Sequence, residues 1–371
     1  MGVILHAHYR LMGLNGQKIV MPAPVDRNTP NASWWWDRLA SQAVEFRRSG
    51  FSAVLLPPFC KTASGAAADA DGYGLFDNYD IGSKNQFFNI PTRFGDRERL
   101  ERMIGIMHAC GLDIYADVVM HQYFGGDNGT YRYFGADGKT LDGRFPKQPS
   151  CFVGSPPRVP VDPVADPTGN FAFGDMVSYI NSTPKDYMLS GAIDAADWLT
   201  RTLDLQGYRI DDVKGMAVEA VRRFLNSKSM AGRFAVGEYF DGNPSALHWW
   251  VWNSGMGGRS NVFDFTLHWT IQAMCNNNSR WWRESGYFSE CSQFPEYHQY
   301  LFPAVWFSST VAHSQHEYLY DPHQLAILHP VCDGSNPGGD MRCVSHDTNS
   351  PYSGFDYQGG HGSSHRYGNP V

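Results

Sequence analysis

The stretch Gly207-Tyr208-Arg209-Ile210-Asp211-Asp212-Val213-Lys214 decides how this chain is read. Four residues of strand character end in two adjacent acids, and a helical stripe of Val218, Val221, Phe224 and Leu225 follows. A second short strand, Phe234-Ala235-Val236-Gly237, then closes on Glu238. Strand, helix, strand with an acid at each strand end is a βαβ unit, and such units build a parallel sheet with right-handed crossovers.

The same grammar recurs toward the N-terminus. Ser33 is placed to cap a helix with Leu39, Ala40, Ala43 and Val44 on one side, ending before Gly50. Phe51–Leu56 reads as a buried strand stopped by Pro57-Pro58. Leu100, Met103, Ile104 and Met107 mark a second helix closed by Gly111, and Leu112–Val119 a second strand. Tyr187–Leu203 reads as a further helix and Asn261–Phe265 as a further strand. An open doubly wound sheet and a closed (β/α)8 barrel both satisfy this order.

Spacing favours the barrel with one large insertion. A βα unit takes ~30 residues, and the interval from Asp117 to Asp211 exceeds one unit by roughly 60. Seven of the 22 prolines fall between Pro146 and Pro167, so the excess is loop-rich. The expected partition is a barrel in two parts, 1–120 and 183–287, with an inserted subdomain at 121–182. A poorly patterned segment follows at 288–371. That segment holds 8 of the 14 histidines, and no lysine occurs after Lys228. A histidine metal tract is one reading of it, an aberrant C-terminus another, since the histidines are not paired as ligands.

Composition narrows the function. The 371 residues carry 30 basic and 37 acidic side chains, a formal charge of −7, which argues against nucleic-acid and membrane-surface partners. No apolar run approaches the ~18 residues of a membrane span, and no leader is visible at the start, which leaves the compartment open. Seven scattered cysteines suggest neither a disulfide scaffold nor a zinc cluster. Aromatic residues make up 14% of the chain, a figure that suits large aromatic cores and also suits stacking on sugar rings.

Asp117, Asp211 and Glu238 each lie at the carboxyl end of an expected strand, the edge that faces the active site in barrels. Arg209 shares a strand face with Asp211 and is placed to keep it ionised and oriented. The apolar run before Glu238 is expected to favour its protonated form. An ionised and a protonated carboxyl facing one another are the nucleophile and general acid of glycosidic cleavage. On spacing alone, a structural Arg–Asp ion pair with an unrelated glutamate competes with that reading.

Four motifs in order give the chain a resemblance to the α-amylase family of glycoside hydrolases, covering roughly residues 3–275. Asp69–Gly82 is similar to the family's loop after the second barrel strand, and Asp117-Val118-Val119-Met120-His121-Gln122 to its third-strand motif. Gly207–Lys214 is similar to its fourth-strand nucleophile motif, and Val236-Gly237-Glu238-Tyr239 to its fifth-strand acid/base motif. The resemblance implies an α/β fold, a (β/α)8 TIM-type barrel with a loop-rich domain B after strand 3. It implies Asp211 as nucleophile, Glu238 as acid/base and Arg209 as the residue orienting the nucleophile. Tyr73 would stack under the sugar, or else be a packed loop aromatic. Gln122 would bond a hydroxyl. Lys214 would touch a sugar beyond the cut, or else be a solvated first-turn lysine.

Calcium is the cofactor the resemblance implies, with Asp175 and the carbonyl of Gly215 as ligands. His121 stands where the family usually has a calcium-binding asparagine, and it is a poor donor for a hard cation. The family's seventh-strand His-Asp pair is matched by His346 and Asp347, which would make Asp347 the third catalytic carboxylate and His346 a sugar contact. The pair lies too near the end to leave the ~45 residues that the rest of a barrel needs. Strands 7–8 are therefore expected to be incomplete, and the tail after about Tyr287 to depart from the ancestral sequence, with His346 and Asp347 a chance match. The activity implied is retaining cleavage of α-1,4-glucan or maltooligosaccharides by a monomer. A noncatalytic carbohydrate-binding relative and a transglycosylase are the alternatives.

Overall fold

The computed structural model describes residues 3–7, 34–66, 71–164, 174–263, 265 and 328–330. The chain divides into two compact units, one of residues 20–238 and one of residues 1–19 with 239–371.

The 20–238 unit is organised by four parallel strands: β2 (Ala53–Leu56), β5 (Asp113–Val118), β8 (Gly207–Ile210) and β9 (Phe234–Gly237). They pair in that order, with Leu56 opposite Ala116, Asp117 opposite Arg209, and Arg209 opposite Val236. Strands buried on both faces read as continuous apolar runs, and all four residues of β2 are buried. Gly207 is required where it stands. A Cβ there would lie 2.8 Å from the Tyr115 ring, which stacks on Phe234 at 4.8 Å.

The helices return the chain between these strands. Helix α1 (Trp35–Arg48) buries Trp35, Trp36, Leu39, Ala43 and Phe46. Val44, expected on the buried face, is exposed. The face runs through 36, 39, 43 and 46, and Val44 lies to its side. The residue expected to cap this helix, Ser33, lies outside the described residues; Asp37 accepts the Trp34 amide at 3.3 Å instead. Helix α2 (Arg97–Ala109) is capped by Asp96, which accepts the Arg99 amide at 3.0 Å, and buries the four residues its period predicts. Helix α3 (Tyr187–Leu203) has the bounds read from sequence, and α4 (Val218–Leu225) buries Val221, Phe224 and Leu225 but leaves Val218 half-buried.

Between β5 and α3 regular structure is sparse. The two-residue strands β6 (Gln122–Tyr123) and β7 (Asp175–Met176) pair antiparallel, and isolated bridges such as Tyr131–Lys147 hold the rest. Earlier in the chain, β3 (Lys61–Thr62) and β4 (Leu75–Asp77) form a hairpin that carries the loop of Tyr73. In the other unit β1 (Ile4–His6) pairs in parallel with β11 (Leu328–Pro330). That unit also holds the short helix α5 (Pro244–His248) and β10 (Asn261–Val262), which ends earlier than the expected strand to Phe265. Among the described residues no helix is long and apolar enough to cross a membrane.

Candidate active site

The site forms where β5, β8 and β9 end together. The ladder runs one residue past the strands: Asp211 donates its amide to the Val118 carbonyl at 3.0 Å, and Glu238 donates to Ile210 at 2.9 Å. Both acids are thus fixed by backbone bonds at the carboxyl edge. Asp117, the next-to-last residue of β5, faces Arg209 across the ladder.

Arg209 gathers these groups. Its side chain is wholly enclosed, at 0% exposure. Nη1 lies 2.7 and 2.8 Å from the two oxygens of Asp117 and 2.8 Å from Asp211 Oδ1, while Nη2 contacts Glu238 Oε2. The Tyr73 hydroxyl donates to Asp117 Oδ2 at 2.7 Å, and the Tyr73 ring lies 5.5 Å from the guanidinium carbon. Gly72 permits that reach: it has φ +105°, and a Cβ there would meet the Pro58 carbonyl at 2.4 Å.

This differs from the expected arrangement in two ways. Arg209 serves three carboxylates rather than Asp211 alone, because the register sets Asp117 beside it. Glu238 meets that guanidinium rather than only the apolar wall before it. Burial works against the charge on Arg209, but Asp117 and Glu238, then Tyr73 and Asp211, hold it well above its ordinary range. Burial pushes the Asp117 carboxyl up to about 6, against the pull of Arg209 and the Tyr73 hydroxyl.

A second cluster adjoins the first. His121 Nδ1 lies 2.6 Å from Asp212 Oδ2, and the imidazole is 2% exposed. Asp212 adopts φ +43°, and its amide lies 3.4 Å from Glu238 Oε2. Burial raises the Asp212 carboxyl above its ordinary range, with His121 opposing. Gln122 is buried in β6 beside His121, and its Oε1 has no hydrogen-bond partner. Lys214 is half-buried in the single turn Val213–Gly215 that follows. Sequence reasoning missed the His121–Asp212 pair, and nothing in the spacing of two residues 91 apart could signal it.

Of the two residues expected to hold calcium, Asp175 is otherwise engaged. Asp175 Oδ1 is 2.5 Å from Arg158 Nη2, and its Oδ2 accepts from the Tyr131 hydroxyl at 2.7 Å. A carboxylate already neutralised by a guanidinium is a weak ligand for a divalent cation. Gly215 is buried in its turn, and among the described residues no group of three or more His, Cys, Asp or Glu could hold a metal ion. As it stands, the Asp175 carboxylate does not fit calcium. His346 and Asp347 lie outside the described residues.

No catalogued family profile matches the chain. It is 26% identical over 304 residues to the glucan 1,4-α-maltohexaosidase of Bacillus sp. (strain 707), covering 69% of this chain and 57% of that protein. It is 25% identical over 286 residues to the α-amylase of Geobacillus stearothermophilus, covering 64% and 50%. The crystal structure of γ-CGTase from alkalophilic Bacillus clarkii superposes with a TM-score of 0.52 at 18% identity, over 74% of this chain and 40% of that one. The chain thus spans about half the length of the curated relatives it matches, and its parallel sheet is that of an incomplete (β/α)8 barrel.

Proposed function

We propose that this chain, similar to glycoside hydrolases of the α-amylase family over the length it shares with them, cleaves α-glucosidic bonds. The substrate class is α-1,4-glucan or maltooligosaccharides, and the reaction is a retaining double displacement. The observation that carries this is the pair of carboxyls on one guanidinium. Asp211 and Glu238 grip neighbouring nitrogens of Arg209, which suits the ~5–5.5 Å separation of a retaining pair.

In the first step an Asp211 oxygen bonds to the anomeric carbon as the bond from that carbon to the leaving oxygen breaks. Glu238 gives its proton to that oxygen. In the second, Glu238 takes a proton from water, whose oxygen displaces Asp211 from the sugar. Arg209 keeps Asp211 ionised and aimed, and Asp117 with Tyr73 fixes Arg209. Glu238 rests against the guanidinium and leaves it for the glycosidic oxygen when sugar enters. Tyr73 offers its ring to the sugar face, and Gln122 and Lys214 contact hydroxyls. The segment 121–182 acts as an inserted domain between the two parts of the barrel. No step runs through calcium, whose proposed ligand Asp175 would first have to leave Arg158.

The test is reducing-end release from starch and maltooligosaccharides by the wild type and by Asp211→Asn. Release by the wild type alone supports the proposal. Equal release by both removes it and leaves a carbohydrate-binding relative.

A further inference from the structure

Resting on that reading, we infer that the His121–Asp212 pair is a positioning device for the general acid, holding the Asp212 amide against the carboxyl of Glu238. Three observations converge on it.

The first is backbone conformation. Asp212 sits at φ +43°, ψ 54°, a left-handed position that aspartate tolerates better than most residues but does not prefer. Something must hold it there, and its half-buried carboxylate bonded to His121 Nδ1 at 2.6 Å does so. The second is where that conformation points the backbone. The Asp212 amide faces Glu238 Oε2 at 3.4 Å, and the next amide, of Val213, donates to the Glu238 carbonyl at 3.1 Å. The turn 211–213 is therefore tied both to the backbone and to the carboxyl of Glu238. The third is the anchoring of His121 itself. Its carbonyl accepts the Val177 amide at 2.9 Å, and the carbonyl before it, of Met120, accepts the Tyr179 hydroxyl at 2.8 Å. The backbone that carries the ring is thus tied to Val177 and Tyr179, and the ring's Nε2 is buried with no hydrogen-bond partner.

A residue at the 121 position that bound a cation would leave Asp212 free to turn. Here the imidazole points instead at the carboxylate next to the nucleophile. An amide that approaches Glu238 from the side of Asp211 orients the carboxyl for transfer to the leaving oxygen. Hydrogen bonds of this kind are long in the resting site and tighten around the substrate.

The inference is tested by comparing a natural substrate, which needs a proton on its leaving oxygen, with maltosyl fluoride, which needs little acid assistance. For Asp212→Ala and His121→Phe, kcat on maltopentaose is expected to fall by about ten- to a hundredfold with KM within about twofold. The first-turnover rate of fluoride release from maltosyl fluoride, which reads the first step alone and not the later attack of water, stays near the wild-type rate, which also shows that the variants fold. Asp212→Asn, which keeps an acceptor for His121 and tolerates the left-handed turn, restores most of the loss. Asp212→Gly, which relieves the backbone but lacks the acceptor, does not. The double variant Asp212→Ala/His121→Phe loses no more than either alone, as two parts of one device should.

Equal losses on both substrates, or none on either, would overturn the inference, and so would full rescue by Asp212→Gly. If the wild type is no faster than Asp211→Asn on both substrates, the glycosidase reading itself has failed and takes this inference with it. The two failures are separated by the Asp211→Asn control.

Discussion

Two buried cations in the 20–238 unit, Lys61 and Arg209, have been used in opposite ways. The Lys61 ammonium is fully enclosed and lies 2.7–3.4 Å from the carbonyls of Lys84, Asn89, Ile90 and Pro91, and 3.4 Å from Asp80. Beside it Lys84 pairs with Asp77 at 2.7 Å and with Asp142. Most of these acceptors are backbone atoms that cannot swing away, so the cluster staples the 84–91 loop to the hairpin of β3 and β4. Arg209, equally enclosed, is surrounded by side-chain carboxylates and a hydroxyl. Those partners are side chains that can turn away from the guanidinium, and in the proposed mechanism they turn to a sugar. Buried charge costs several kcal/mol per ion unless it is paired in good geometry, and both clusters meet that condition. What separates scaffold from active site is whether the partners are able to leave.

Breaking each cluster should therefore fail differently. The largest effect belongs to Asp211→Asn, which should lower kcat on maltopentaose by about 10⁴-fold or more with little change in melting temperature. Arg209→Lys comes next, with about a 10²-fold loss in kcat, because an ammonium cannot present two parallel donors to neighbouring carboxyls. Lys61→Met should act on stability instead. It removes the counter-charge of the buried Asp80, which keeps four other donors, and takes a donor from four carbonyls, costing about 3–5 kcal/mol in denaturant unfolding, while kcat per folded molecule is kept. If Lys61→Met lowered kcat at unchanged stability, the distinction between the two clusters would fail.

A smaller effect concerns pH. The Asp117 carboxyl is pushed from 3.8 up to about 6 by burial. Between those values the folded chain holds a proton that the unfolded chain has released, so this group makes stability fall as pH rises through that window. Asp117→Asn should flatten that part of the dependence of melting temperature on pH. A steeper fall in the variant would show that the sign has been misjudged. The smallest expected effects lie at the half-exposed Arg158–Asp175 pair. Arg158→Gln should cost about 1 kcal/mol, and a chelator should leave the wild-type melting temperature unchanged. A clear drop with chelator would return calcium to Asp175.

Much of the frame was legible from sequence because each part depends on local pattern. The strands that end just before Asp211 and Glu238 are short apolar runs followed by acids, Asp117 lies near the end of an apolar run, and α2 follows from its helical period and the closing Gly111. The sharing of Arg209 among three carboxylates was not legible. Two-residue periodicity links Arg209 to Asp211 on its own strand, but only the register between β5 and β8 brings in Asp117. The same limit applies to His121 with Asp212 and to Arg158 with Asp175. In each case a side chain that looked like a candidate metal ligand, or a departure from one, is neutralised by a partner that sequence spacing does not reveal. Val44 was misplaced for a simpler reason: the two tryptophans at the start of α1 turn the buried face away from it.

The most direct test of the central claim is covalent trapping. Incubation with a fluorosugar fluoride that forms the glycosyl-enzyme quickly and releases it slowly, followed by peptide mass spectrometry, reads out which residue becomes bonded to the anomeric carbon. The proposed mechanism predicts one added glycosyl mass on the peptide containing Asp211, and none in Asp211→Asn. A label on Glu238 or on Asp117, or a wild type that turns over starch without ever carrying a label, would contradict it.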